Sequence, residues 1–385
     1  MVTAASKVVV GLETFLNERL DLVRGRRVGL LTAPAAVDSR VRHSVRLLRD
    51  AGVKLTALFG PEHGLYGDAQ AGVAVGDATD PLTGLPVFSL YGQTRRPTSQ
   101  MLGQIDVLVC DLVDGGARYW THLYSMAYAL EAAAAHGVEF VVLDRPNPIG
   151  GAVLEGNLAQ PGYFSFVGAY PLPMRHGFTM GEMARWVAAR QGLAAPTVVA
   201  ARGWRRAERH AATGLPWVPP SPNIPAAETF LLYPGTCFVE GTTASEGRGT
   251  TRPFEWIGHP GLDAFALADR LNACDLAGVA FRPAYFRPTF SKHAGELCAG
   301  VQIHVLEPEA MRPVAVGVHL LKALHAALGE ALWRSGERPF IDLLGGGPDL
   351  RTAVERGEPA DALLARWAEQ RAPFERACRA FWLYA

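Results

Sequence analysis

The chain has 385 residues, and its 37 Lys+Arg against 37 Asp+Glu leave no formal net charge. That balance argues against a nucleic-acid partner, which calls for a basic excess to neutralise phosphates, and against a polybasic membrane-surface protein. With 49% apolar and 19% charged residues, the composition is that of a packed globular chain, and the length is that of two domains.

The N-terminal stretch MVTAASKVVVGLETFLNERL lacks the apolar run of a signal peptide, and no segment of about 18 apolar residues occurs, so a cytoplasmic protein is expected. RRVGLLTAP (26–34) predicts a first strand, and Val41, Val45 and Leu48 recur at helical spacing up to Gly52. VKLTALFG (53–60) and LPVFSLYG (85–92) predict two more strands, with a short helical piece over 97–102. IDVLVCDLVD (105–114) is the most continuous apolar run. Leu123, Met126, Ala127, Leu130 and Ala134 share one face of a helix ending at Gly137, and VEFVVLDRP (138–146) follows as a strand. Continuous apolar strands separated by helices predict a parallel sheet covered on both faces, in an open doubly wound arrangement.

After residue 146 the chain becomes rich in Gly and Pro. TMGE (179–182) reads as a capping box for a helix to about 191, TVVA (197–200) as one more strand, and LPWVPPSPNIP (215–225) as an ordered connection. Beyond 236 the pattern mixes a Gly/Thr-rich loop, a helix near 262–273, strands near 278–282 and 300–306, and closing helices. The alternation in VQIHV suits an antiparallel strand. The expected division is 1–235 for the large sheet domain and 236–385 for a smaller α+β domain. The five cysteines are widely spaced with no CxxC pair, which fits small core residues in a reducing compartment rather than a structural zinc site.

In an open parallel sheet, ligands bind beyond the carboxyl ends of the strands. That rule selects Glu62 and His63, then Tyr91 and Arg95, then Asp111, Asp114, Arg118, Tyr119 and Trp120, then Asp144 and Arg145. A second polar stretch, 238–256, offers Glu240, Glu246, Arg248 and Arg252; a third, 287–300, offers Lys292 and His293. No GxGxxG follows the first strand, and no P-loop, GxSxG elbow or HExxH is present, so no metal or cofactor is expected. What remains is carboxylate chemistry among arginines and aromatic rings. A carboxylic acid can protonate a glycosidic oxygen, rings can lie against sugar faces, and an arginine fork can hold a carboxylate.

FGPEHGLYGDAQAG (59–72), DGGARYWTHLYSM (114–126), LDRPNPIGG (143–151), PSPNIP (220–225), YPGTCFVEGTTASEGRGTTRPFE (233–255) and PTFSKHAG (288–295) resemble the sequence blocks of exo-β-N-acetylmuramidases of the NamZ type. The resemblance spans nearly the whole chain. It implies a Rossmann-like α/β domain, a smaller domain closing the cleft, and removal of terminal N-acetylmuramic acid from peptidoglycan fragments. It puts the leading catalytic glutamate at Glu62 and a second at Glu240 or Glu246. The expected partner is a small saccharide, with neither nucleic acid nor membrane. A non-catalytic muropeptide-binding protein and a cytoplasmic sugar-phosphate enzyme are the competing readings.

Overall fold

The structure is a computed structural model that describes residues 8–334, 336 and 338–385; the first seven residues, part of the stretch read above for a leader, lie outside it. In chain order the strands are β1 (Val28–Thr32), β2 (Leu55–Gly60), β3 (Ala78–Thr79), β4 (Pro86–Ser89), β5 (Val107–Asp111), β6 (Glu139–Leu143), β7 (Glu155–Leu158), β8 (Pro173–Arg175), β9 (Thr197–Val199), β10 (Trp256–His259), β11 (Val279–Phe286) and β12 (Cys298–Val305).

Seven of them form one sheet in the order β3-β4-β2-β1-β5-β6-β9, parallel except for β3, which runs antiparallel to β4. All five residues of β1 and of β5 are buried, as a sheet covered on both faces requires. Successive residues go to opposite cores. Leu31, Phe59, Cys110 and Val142 pack under the helices Thr121–Ala135 and Met180–Gln191. Leu30, Leu58, Val109 and Val141 pack under Gly11–Glu18 and Ser44–Asp50. The chain winds outward on one side of β1 and then returns to build β5, β6 and β9 on the other, so the winding reverses at β1.

The second, smaller sheet is antiparallel in the order β10-β12-β11. Its core is shared with Leu267 and Leu271 of Ala264–Asn272 and with Leu320 and Leu324 of Pro313–Leu328. The helix Pro313–Leu328 is a spine between two cores. Val314, Val318 and Leu321 face Phe230, Phe238 and Trp367, while Val316 and Leu320 face the small sheet. With the short turn after it, this helix is long and apolar enough to cross a membrane by length and composition, but Val314, Val316, Val318, Leu320, Leu321 and Leu324 are buried against protein. It crosses the helix Ala227–Thr236 backbone to backbone: a Cβ on Gly235 would lie 1.8 Å from the Pro313 carbonyl oxygen.

The chain end returns to the large sheet. Phe374 and Cys378 of the helix Ala360–Cys378, with Phe381 and Trp382 after it, pack onto the core around Phe178, Met183 and Trp186. Residues 374–382 therefore pack on the first sheet's layers, while Ala360, Leu363 and Trp367 earlier in the helix join the core around Phe230 and Phe238.

Several elements differ from expectation. The helix anticipated from Val41 starts at Ser44, because the His43 ring caps it by accepting from the Val45 N–H, while Val41 is exposed at φ 63°. Ala134 is exposed rather than on the buried face. The Gly/Pro-rich stretch after 146 contains the hairpin β7–β8, and a helix, Ala227–Thr236, forms despite Pro234 within it. The short β3 and β10 and the helix Gly11–Glu18 have too few residues to show a period.

Candidate active site

A cavity of about 680 Å³ opens between the carboxyl ends of β2 and β4, the first residues of Thr121–Ala135, the segments 233–254 and 291–293, and Arg334, Phe340 and Leu344. The sheet side is built around Glu62. After β2 the chain turns through Pro61, and His63 and Gly64 both adopt positive φ, 72° and 77°. A non-glycine residue in that region is strained; here the His63 Nδ1 contact to the Ala69 carbonyl, 2.8 Å, helps hold the turn. The turn aims the buried Glu62 at the cavity, where Oε1 accepts from the Gly72 N–H at 2.8 Å and Oε2 from the Thr121 hydroxyl at 2.6 Å. Thr121 opens its helix, so the carboxyl stands at the positive end of the helix dipole.

The groups around Glu62 are uncharged at neutral pH. Burial foremost, and then the Glu62 charge, push the Tyr91 phenol up to about 12. Burial foremost, with His63 adding, holds His122 down to about 4; its ring lies beside the backbone carbonyls of Glu62 and Val113. Burial also lowers His63, whose ring centroid is 6.4 Å from that of His122.

The facing wall is a charge lattice. Arg248 joins Glu246 (Nη1–Oε1, 2.7 Å) to Glu240 (Nη2–Oε1, 3.0 Å). Lys292 adds a contact of 2.7 Å to Glu246 and donates to the carbonyls of Val239 and Thr242 at 2.8 and 3.1 Å. Burial would push Glu246 up, but Lys292 and then Arg248 outweigh it and hold the carboxyl at about 2. Burial lowers the Lys292 ammonium, offset in part by Glu246, and Arg248 is raised because Glu240 and Glu246 outweigh its own burial. Glu246 has both oxygens committed and is 2% exposed, whereas the Glu240 side chain is 20% exposed and faces the cavity. Phe254, Ser291 and His293 on this wall also hold positive φ, at 63°, 68° and 56°. Thus four of the six such non-glycine residues among those described line the cavity, where strain is expected to concentrate.

The structure brings together Glu62, His63, Tyr119, Trp120, Glu240, Glu246, Arg248, Lys292 and His293 as cavity lining. Tyr119 and Trp120 are locked from behind: the Tyr119 hydroxyl donates to the Pro234 carbonyl, and Trp120 Nε1 to the Val113 carbonyl at 3.0 Å. His293 is held by the Thr243 carbonyl at 2.8 Å.

The remaining candidates lie outside the lining. Asp111 and Arg145 form a buried two-point ion pair at 2.6 and 2.9 Å. It sits by the β5 end, next to where the winding reverses. Asp144 accepts from Thr179, Gly181 and Tyr384, each at 2.7 Å, which caps the helix Met180–Gln191 and ties down the tail; burial raises it to about 6. Asp114 accepts from the Gly116 N–H at 2.9 Å and lies 3.5 Å from His176. Arg118 is fully buried, donating to the carbonyls of Asn157, Leu172 and Leu344, and burial lowers it to about 10. Arg252 is half exposed beside Glu255, and Arg95 lies 4.2 Å over the Phe166 ring. These side chains fasten loops and layers. The strand-end rule finds the rim but does not show which of its charges are already paired.

Thr121, His122, Gly72, Arg334 and Phe340 belong to the site or its support and were not selected from sequence; Tyr91 was noted at its strand end without a role. For Thr121 and His122 the available signal was position, directly after Trp120 at a helix start. Among the described residues, no group of three His, Cys, Asp or Glu is arranged to hold a metal ion.

Two sequence profiles match end to end: "Exo-beta-N-acetylmuramidase NamZ, N-terminal" over residues 28–228 and its C-terminal counterpart over 231–384. The chain is 43% identical over 380 residues to the peptidoglycan beta-N-acetylmuramidase NamZ of Bacillus subtilis (strain 168), covering 98% of this chain and 92% of the relative. Two crystal structures of DUF1343 family proteins from Bacteroides fragilis share the fold. One has a TM-score of 0.90 at 36% identity and the other 0.80 at 28%, each covering 98% of this chain and 99% of the other. On its sequence from end to end, and on a fold shared with those two structures, the chain belongs to the NamZ family of exo-β-N-acetylmuramidases.

Proposed function

We propose that this protein hydrolyses the β-glycosidic bond of a terminal N-acetylmuramic acid in peptidoglycan fragments, with Glu62 as the general acid. The observation that carries the reading is one cavity with a buried glutamate on the sheet side and a partly open glutamate on the facing wall. Glu62 gives its proton to the departing oxygen, and Glu240 activates water or meets the positive charge that develops on the sugar. Glu246 takes neither role, because Arg248 and Lys292 occupy it; it fixes those two cations instead. Tyr91, uncharged and beside Glu62, serves as a hydroxyl donor in the cavity. The rings of Tyr119, Trp120 and Tyr233 give an apolar face for the sugar. Five cysteines, none in a disulfide and four buried, support placing this activity in a reducing compartment, the cytoplasm.

The test is release of a chromogen from its β-N-acetylmuramide, measured beside the matching β-N-acetylglucosaminide. Release from the first and not from the second is expected. Tight binding of the muramide without release would overturn the hydrolase in favour of a binding protein.

A further inference from the structure

We infer that Arg334 is the residue that selects muramic acid, its guanidinium gripping the lactyl carboxylate of the substrate. The inference rests on the hydrolase reading above and supplies the recognition element that reading lacks.

Among the described residues, three carboxylates line the cavity, Glu62, Glu240 and Glu246, and three side chains there carry a positive charge, Arg248, Lys292 and Arg334. Arg248 is divided between Glu240 and Glu246, and Lys292 is bound to Glu246 and two carbonyls. Neither can turn to a ligand without stranding a buried partner. Arg334 is different. Among the described residues its guanidinium has a single hydrogen-bond partner, the backbone carbonyl of Glu240 at 3.0 Å, and it has no carboxylate. The side chain is exposed, with its guanidinium 5.7 Å from the centre of the Phe340 ring, which also lines the cavity. One N–H is engaged; the rest of the fork is open to an incoming carboxylate.

The backbone that carries Arg334 is anchored to the active-site wall. Trp333 pairs with Thr242, and Thr243 receives two further contacts: its N–H donates to Leu332 O and its hydroxyl to Ala331 O, each at 2.8 Å. The same strip supplies Glu240 and the carbonyl that holds Lys292. The cation is therefore positioned with the catalytic wall, and among the described residues only one of its N–H groups is engaged.

The test compares chromogenic β-N-acetylmuramide with its lactyl methyl ester, which keeps the shape and loses the charge. Wild-type protein should favour the acid in kcat/KM. Arg334→Met should cut that acid-to-ester ratio about 10- to 100-fold, mainly through KM, as expected for loss of a charge-assisted pair. Arg334→Lys should keep part of the ratio, and Arg252→Met, which removes a charge outside the cavity, should leave it in place. An unchanged ratio in Arg334→Met, or equal loss on acid and ester, overturns the assignment. If wild-type protein releases no chromogen, the hydrolase reading falls, and calorimetry with free N-acetylmuramic acid and N-acetylglucosamine decides the clamp separately. A preference for the former that Arg334→Met abolishes supports it, and no preference, or one Arg334→Met retains, overturns it.

Discussion

Glu62→Gln tests the assigned acid most directly, because the replacement keeps the shape and both anchoring contacts. The amide oxygen can still accept from the Gly72 N–H, now 2.8 Å from Oε1, and the Thr121 hydroxyl, 2.6 Å from Oε2, can reverse to accept from the new NH₂. What disappears is the transferable proton. General acid catalysis contributes about 10²- to 10⁴-fold, so the variant should lose about 3–5 kcal/mol of transition-state stabilisation at 1.36 kcal/mol per tenfold. That loss should depend on the leaving group. A simple alkyl muramide needs its oxygen protonated as the bond breaks and should show the full effect in kcat. A dinitrophenyl muramide departs as a stabilised phenolate without help and should lose roughly tenfold or less. The assay is kcat for both glycosides in both proteins, with circular dichroism to confirm folding. Equal losses on the two substrates would refute the acid role and assign Glu62 to attack on the sugar or to activation of water; near wild-type rates on both would remove it from the chemistry.

Other consequences concern stability. Glu246→Gln leaves Lys292 without its carboxylate and Arg248 with only Glu240, a loss of about 3 kcal/mol for a broken buried pair; an unshifted urea midpoint would show that the lattice contributes nothing to folding. His122 sets a pH dependence. The unfolded chain takes up its imidazole proton near 6.5, the folded chain only near 4, so folding loses about 3 kcal/mol from this residue as pH falls through that window. Asp144, raised to about 6, acts in the opposite sense between about 6 and 3.8. It is common to wild type and His122→Gln, so the gap in unfolding free energy between the two should narrow by that amount from pH 7 to pH 4; a constant gap would refute the shift. Gly235→Ala drives a methyl into the Pro313 carbonyl at the helix crossing and should cost about 3 kcal/mol, the upper end for overpacking, read as a lowered urea midpoint.

The two halves of the molecule were unequally readable. β1, β2, β5 and β6 declare themselves because a strand buried on both faces reads as a largely apolar run. The helix at Met180–Gln191 announces itself through Thr179 and Glu182, whose reciprocal contacts are 3.3 and 3.0 Å. Glu62 follows from its place at a strand tip. Its neighbours do not: whether Asp111 faces ligand or Arg145, and whether Glu240 or Glu246 is saturated, depends on pairings between residues brought together only by folding. Arg334 was out of reach for the same reason. It lies on an irregular connection with no period, and its meaning comes from Arg248 and Lys292 being already engaged.

The return of the chain end to the large sheet bears on how the protein is made. Synthesis delivers Phe178, Met183 and Trp186 about 200 residues before Phe374, Phe381 and Trp382, which cover that surface. The cap on Asp144 waits for Tyr384, and Glu182 waits for the Leu383 N–H. Until residues 374–384 emerge, the sheet domain carries an uncovered aromatic wall and buried carboxylates short of a partner. A ribosome-stalled chain ending before residue 360 should be trapped by holdase chaperones and cut by protease within the helix Met180–Gln191, whereas a chain that includes residues 360–385 resists both.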